Sequence, residues 1–331
     1  MGNFSSRSIQ KPKRVRQRAD DINVLVLGLS GSGKTTLTKQ LRLMLSNGFT
    51  DEERKLGKHL MIYNLIKGLQ ERLLNKPYTC PIESTMLDPR NMTVSLGDDI
   101  ELCSTLKSEI NRVYPELCKV AASGISNDLL DYCFRQLDKL FDVHYVMTDS
   151  DMLRVRLRTP GKNDITLNHQ GFNWTFTDSG GQQSESSKWP KLYDDADAVI
   201  FMVSLDEWDS LSFESTTVQT KLQQARTVFR SVDSHPTLQD LPMVVLFNKY
   251  DLFSSKLGQV KLHDNPIFKG YAGIQHPSFV YNHLKDWFLD GSSRQDTLVH
   301  PMTAISSSDT RAVVEATMTF IFGRVDRTFV Q

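Results

Sequence analysis

The chain has 331 residues, 39% of them hydrophobic, and 39 basic against 39 acidic side chains leave a formal net charge of zero. This length and composition suit a sizeable core and one domain carrying a second, inserted one. No apolar run reaches membrane-spanning length, no secretory signal is present, and neither the four cysteines nor the eight histidines have metal-ligand or disulfide-framework spacing.

The sign of charge is uneven at the start. Arg7, Lys11, Lys13, Arg14, Arg16 and Arg18 precede Asp20 with no acid among them. Such a tail suits nucleic acid, anionic lipid or a disordered segment. Met1-Gly2 with Ser6 fits the N-myristoylation pattern and favours lipid, with Gly2 as the acylated residue. An acyl chain beside a basic tract meets the two-signal requirement for stable anchoring.

Ile22 to Leu27 reads as a buried strand and Leu37, Leu41, Met44 and Leu45 as one face of a helix. Between them stands Gly28-Leu29-Ser30-Gly31-Ser32-Gly33-Lys34-Thr35, a complete phosphate-binding loop in the required strand–loop–helix setting. Its backbone N–H groups would close around phosphate oxygens, with Lys34 on the β and γ phosphates and Thr35 on Mg²⁺.

The next hundred or so residues read as helical. Thr50-Asp51-Glu52-Glu53 has capping-box spacing, and Ile62, Leu65, Ile66, Leu69 and Leu73 follow at steps of three and four. Pro77 to Pro89 reads as loop, and Leu129, Tyr132, Phe134, Leu137 and Leu140 suggest a later helix, with Asp128 at its N-cap or in a functional role. All four cysteines fall here, without close pairs, as expected of buried free thiols in a reducing compartment.

Arg154, Arg156 and Arg158 alternate, as on the solvated face of an edge strand. Phe172 to Thr177 alternates as a strand and leads into Asp178-Ser179-Gly180-Gly181-Gln182. There Asp178 would hold Mg²⁺ through water, Gly181 would turn its N–H toward a γ-phosphate, and Gln182 would orient the attacking water. A last buried strand, Met243 to Phe247, leads into Asn248-Lys249-Tyr250-Asp251. The Asp251 carboxylate can accept from N1–H and the exocyclic amine of guanine, donors that adenine lacks there, and a buried acceptor left without them discriminates strongly. Asn248 would brace neighbouring loops and the Lys249 stem would lie along the base.

Taken together these elements resemble the α subunits of heterotrimeric G proteins. The resemblance covers most of the chain, including Ser184 to Trp189 as a second switch, Leu252-Phe253 after Asp251, and Glu315 to Val325 as the closing helix. It implies a Ras-like α/β P-loop GTPase domain, a mostly parallel sheet flanked by helices, at residues 21–48 and 149–331. An all-α domain would be inserted at 49–148, and the basic tail would be 1–20. It further implies that Arg156 is a built-in arginine finger and that Thr159 closes on Mg²⁺ and the γ-phosphate. Thr36, Asp128, Arg154 and the loop Thr303-Ala304-Ile305 join the implied nucleotide contacts. The implied activity is GTP hydrolysis to GDP and phosphate in a signalling switch with Mg²⁺. The implied partners are a Gβγ dimer, a seven-transmembrane receptor or other exchange factor, an RGS-type GTPase-activating protein, an effector and an anionic membrane surface. No nucleic acid is expected, and the expected location is the cytoplasmic face of the plasma membrane.

Several positions depart from the family pattern. Asn3 stands where many members carry a palmitoylated cysteine, and the segment before the phosphate loop is short. Gly31 replaces an acid that would latch the first-switch arginine, and Pro160 follows Thr159 where a second threonine is usual. Gln183, Ser186 and Ser187 replace second-switch basic residues, their partner loop near Phe213 to Thr217 has lost most of its charge, and Thr303-Ala304-Ile305 replaces a cysteine-alanine-threonine sequence. These changes leave the chemistry standing and bear on switch ordering, βγ binding and receptor coupling. The nearest alternative is therefore a related GTPase acting without βγ subunits or receptors; a P-loop kinase or a nucleotide-locked scaffold would not need Asp251 or both Arg156 and Gln182.

Overall fold

A computed structural model describes residues 21–74, 100–120, 128–156, 161–212, 219–292, 294 and 296–325. The expected loop at 77–89, the tail with Gly2, Thr159 and the loop at 213–217 lie outside the described residues. The chain divides into two compact units, Met1–Leu41 with Thr159–Gln331, and Arg42–Arg158.

The first unit is built on six strands: β1 Asp21–Leu27, β2 Lys162–His169, β3 Phe172–Ser179, β4 Ala198–Ser204, β5 Met243–Asn248 and β6 Thr297–Pro301. They lie in the order β2-β3-β1-β4-β5-β6, with β2 antiparallel to β3 and every other pair parallel. Every residue of β4 and β5 is buried, as a parallel strand covered on both faces requires, which explains their unbroken apolar sequences. Val199, Phe201 and Val203 of β4 share one core with Phe229, Phe253, Leu284 and Phe288. Those four come from helices at Lys221–Asp233, Tyr250–Leu257 and Pro277–Leu289.

The three expected strands form, but the edge strand does not fall on the arginine run. It is β2, which starts at Lys162, while Arg154 ends a helix and Arg156 is irregular. The closing helix is Ser307–Phe322, eight positions earlier in onset than Glu315. Ser306 caps it by accepting from the Asp309 N–H, and Thr310, Val314, Thr317, Met318 and Ile321 form its buried side. The buried threonines hid the period from a purely apolar reading.

The Asp233–Arg294 pair ties the end of the Lys221–Asp233 helix to the segment before β6. Arg294 Nε donates to Asp233 Oδ1 at 2.7 Å, and both side chains are 6–7% exposed. The guanidinium also donates to the carbonyls of Leu238 at 2.7 Å and Leu241 at 2.8 Å, so each of its three nitrogens is hydrogen-bonded. Removing one partner strands the other charge. Asp233→Ala is expected to cost about 3–5 kcal/mol of unfolding free energy, measured by urea denaturation of the GDP-loaded protein. A loss under about 1 kcal/mol would place this pair with solvated surface bridges instead.

The second unit is helical: Asp51–Leu74, Ile100–Val120, Asp128–Arg135, Leu137–Leu140 and Asp149–Arg154. The Thr50 box closes as its spacing predicts, Glu53 N–H donating to Thr50 Oγ1 at 3.3 Å and Thr50 N–H to the Glu53 carboxylate at 2.8 Å. Ile62, Leu65, Ile66 and Leu69 are buried against Leu129, Leu130, Leu137 and Leu140. The expected later helix is two pieces broken at Gln136, whose ψ of 12° leaves the helical region. Cys133 is a buried free thiol, its pKa pushed up to about 12 by burial. Residues 42–48 and 149–156, expected with the sheet, fall in this unit. Arg42 makes a bidentate bridge to Glu53 at 2.6 and 2.7 Å, and Arg54 binds Asp149 at 2.6 Å. Among the described residues no helix is long and apolar enough to cross a membrane.

Candidate functional site

The phosphate loop leaves β1 at Gly28, passes an exposed tip at Ser30 and Gly31, and enters the helix Lys34–Leu45. Ser32 N–H turns back to the Leu29 carbonyl at 3.2 Å, and Leu37 N–H makes the first helical bond to Gly33 at 2.9 Å. Gly33 has φ +101°, and a Cβ there would collide with the Asn248 side-chain amide, so both backbone shape and space demand glycine. Lys34 is buried and folds over the loop, Nζ donating to the carbonyls of Gly28 at 2.8 Å and Leu29 at 3.1 Å. Burial pushes its pKa down to about 8, against the opposing pull of Asp178. A desolvated ammonium without a full countercharge attracts an anion strongly. Ser32 Oγ is buried with no hydrogen-bond partner among the described residues, an exception that an acceptor- or donor-bearing ligand at the loop would relieve. These features fit a phosphate group.

Thr35 and Asp178 meet across the loop. Thr35 Oγ1 donates to Asp178 Oδ2 at 2.7 Å, and Asp178 is fully buried at the end of β3. A hydroxyl and a carboxylate oxygen are hard donors that suit Mg²⁺, which needs only one or two protein ligands when phosphates and water supply the rest. Thr36, one residue on, is half-buried. Among the described residues no cluster of three His, Cys, Asp or Glu side chains forms a metal site.

Beyond Asp178 the backbone closes against the loop. Ser30 N–H donates to the Gly181 carbonyl at 2.9 Å, and a Cβ on Gly181 would stand 2.6 Å from Ser30 N and Leu29 C. Glycine is therefore what allows this segment to approach. Gly180 is held on both sides, its N–H on the Gly161 carbonyl and its own carbonyl accepting from Trp189 Nε1, each at 2.9 Å. Gln182 follows at the start of the short helix Gln183–Ser186, its carbonyl accepting the N–H groups of Glu185 at 2.9 Å and Ser186 at 2.8 Å.

Asn248 joins three loops. Its Nδ2 donates to the Ser32 carbonyl at 2.8 Å, and its Oδ1 accepts the Ala304 N–H at 2.9 Å. The side chain is buried, so both bonds act in a low-dielectric setting. Lys249 adopts the left-handed region at φ 62° and pairs with Asp206 at 3.1 Å. Asp251 lies in the first turn of the Tyr250–Leu257 helix and is solvent-exposed, whereas strong discrimination was expected of a buried carboxylate. A carboxylate at the mouth of a helix start begins hydrated, which moderates the discrimination it can give. Of the Thr303-Ala304-Ile305 loop, Ala304 is buried, and the other two are half-buried.

Sequence reasoning missed Gln40. Completely buried, it donates from Nε2 to the Ala304 carbonyl at 2.8 Å and accepts from Ser307 Oγ at 3.2 Å. Asn248 and Gln40 thus hold the two polar groups of one peptide position. The signal was present: Gln40 adjoins Leu41 on the buried side of the helix, beside Leu37.

The other expected residues belong to the second unit. Asp128 is half-buried at the first position of its helix. Arg154 donates from Nη1 to Ser150 Oγ at 2.6 Å, and its guanidinium stacks 4.3 Å from the Tyr132 ring centroid. Arg156 is exposed, its carbonyl fixed by Asn64 Nδ2 at 2.9 Å. The helix that ends at Arg154 is capped by Thr148 and anchored by buried Asp151. That carboxylate accepts from Tyr132 and Tyr145 hydroxyls at 2.6 Å each and from Thr148 N–H at 2.7 Å.

The sequence model of the family described as G-protein alpha subunit matches residues 4–321. The guanine nucleotide-binding protein alpha-7 subunit of Caenorhabditis elegans is 25% identical over 348 aligned positions, covering 98% of each chain. The alpha-2 subunit of Dictyostelium discoideum is 27% identical, over 95% of this chain and 92% of its own. The G(o) subunit alpha of Locusta migratoria is also 27% identical, over 91% and 88%. With the loop, the six-stranded sheet and these relatives in agreement, the chain belongs to the G-protein alpha subunit family and is a guanine-nucleotide-binding signalling switch that hydrolyses GTP.

Proposed function

We propose that hydrolysis is an in-line attack of water on the γ-phosphate of GTP bound at the 28–36 loop, with Gln182 orienting the water and Arg156 and Lys34 countering the charge that spreads in the transition state. The observation that carries this reading is the Asn248 clamp, which holds the phosphate loop and the 303–305 loop in one register. Phosphate and base sites fixed to one another before binding lower the entropy lost on capturing a nucleotide. Thr35 and Asp178, with Thr159, would hold Mg²⁺, which when bound neutralises β- and γ-phosphate oxygens. Lys34 would exchange loop carbonyls for phosphate oxygens, Gly181 N–H would sense the γ-phosphate, and Asp251 would read guanine. Asp128 and Arg154 are proposed as further nucleotide-side residues, and Ile305 as part of the base loop. The inserted helical domain is proposed at 49–148, with Arg156 following it on the chain just after the Asp149–Arg154 helix.

G-protein alpha subunits work with βγ dimers, receptors and effectors as a family, and the same classes of partner are proposed for this chain. Gln183, Ser186 and Ser187, where basic residues are usual, make the βγ contact the part most in need of a test. Purified chain loaded with GDP or a slowly hydrolysed GTP analogue should bind βγ subunits from the same source only in the GDP form. Absence of binding alongside normal exchange and hydrolysis would favour a GTPase that works without βγ subunits.

Membrane attachment through myristate on Gly2 and the basic tract from Arg7 to Arg18 is proposed from the sequence. One myristoyl chain gives marginal attachment, and each basic residue near an anionic leaflet adds about 1 kcal/mol, so both signals are needed. Gly2→Ala and joint neutralisation of Lys11, Lys13, Arg14, Arg16 and Arg18 are each expected to move the protein into the soluble fraction. Raised salt should do so for the wild type, by screening the charge term. Undiminished pelleting of Gly2→Ala would assign the anchor elsewhere.

A further inference from the structure

Lys249 is one of two non-glycine residues at positive φ among the described residues, and it stands inside the proposed guanine-reading turn. A lysine in the left-handed region persists only where its surroundings over-determine it. Three of its restraints are backbone or neighbouring groups: the Asn248 clamp, Tyr250 N–H on the Met302 carbonyl at 3.1 Å, and Phe253 N–H on the Lys249 carbonyl at 3.0 Å. The fourth holds the side chain itself. Lys249 Nζ lies 3.1 Å from Asp206 Oδ1 and 3.3 Å from Oδ2, both side chains being 21% exposed.

Asp206 is in turn fixed. It follows β4 in a short 3₁₀ segment, Leu205–Glu207, its Oδ1 accepts from Ser204 Oγ at 2.6 Å, and its carbonyl accepts from Lys256 Nζ at 3.0 Å. Lys256 also pairs with Asp209, and Lys221 with Glu207 at 2.7 Å, so neighbouring acids have their own cations and Asp206 is left to Lys249. We propose that Asp206 is a positioning residue for guanine-nucleotide retention, holding the Lys249 ammonium so that the lysine stem is set in place before the base arrives. The proposal rests on reading residues 248–251 as the guanine site. A long, rotamer-rich side chain ordered in advance loses less entropy on binding, which slows dissociation rather than the chemical step.

The test measures release of fluorescent GDP and single-turnover hydrolysis of preloaded GTP for wild type, Asp206→Ser, Asp206→Asn, Lys249→Met and the Asp206→Ser/Lys249→Met pair. At about 50 mM salt, Asp206→Ser is expected to release GDP about three- to tenfold faster with hydrolysis unchanged. Asp206→Asn keeps the acceptor for Ser204 without the charge and should fall between, which guards against a folding defect in the serine variant. In the Lys249→Met background Asp206→Ser should add nothing, because the group it positions is gone. An equal acceleration in that background would overturn the proposal, as would wild-type release from Asp206→Ser while Asp251→Asn still changes base preference. Wild-type release from Lys249→Met overturns it together with the base-site reading.

Discussion

Gln182→Leu is expected to slow single-turnover GTP hydrolysis by about 10²–10³ while leaving GTP affinity within a few-fold of wild type. In the proposed mechanism the Gln182 amide acts on the water only as the transition state forms, so its loss lowers the rate constant and spares ground-state binding. Leu conserves bulk and removes both hydrogen-bonding groups. The backbone role of Gln182 survives, since the carbonyl that caps the Gln183–Ser186 helix is unchanged. Arg156→Cys tests the other charge-stabilising group, and fingers of this class contribute about 10³–10⁵ to kcat. Because Arg156 makes its described contact through its carbonyl to Asn64, truncating the exposed side chain should leave the melting temperature close to wild type. Rapid-quench assay of preloaded protein checks both variants. Wild-type rates in Gln182→Leu would assign water positioning to another residue.

How much of this was legible depends on the range of the interactions. The phosphate loop was legible because its main constraints are local: Gly33 answers to its own φ, and strand and helix flank it directly. Capping at Thr50 was legible for the same reason. Gln40 and Asp206 were not, because each gains its meaning from a residue far away in sequence, Ala304 and Lys249 respectively. The edge-strand alternative for the arginine run does not hold at Arg154, because the Thr148–Asp151 capping box starts a helix that runs to that residue. The closing helix was placed late because its buried side uses Thr310 and Thr317, which carry no apolar signal. Asp251 follows the strand exit as its motif spacing indicates, but motif spacing says nothing about its exposure.

Asp251→Asn is expected to exchange guanine for xanthine preference. The wild-type carboxylate presents two acceptors to guanine N1–H and the exocyclic amine; asparagine keeps one acceptor and turns a donor toward the second position. Xanthine carries a carbonyl there, so the pairing is restored for xanthine nucleotides and becomes donor against donor for guanine. Each hydrogen bond to a charged group is worth about 1.5–3 kcal/mol, so the one mispaired position weakens GTP by about 10–10². The exposure of Asp251 favours the lower part of that span, because a hydrated carboxylate must shed water to bind and is not stranded dry when the base is wrong. Competition of XTP, GTP and ATP for fluorescent GDP on wild type and variant provides the measurement. Equal wild-type affinity for ATP and GTP, or an Asp251→Asn chain that still prefers GTP over XTP, would remove Asp251 as the base reader.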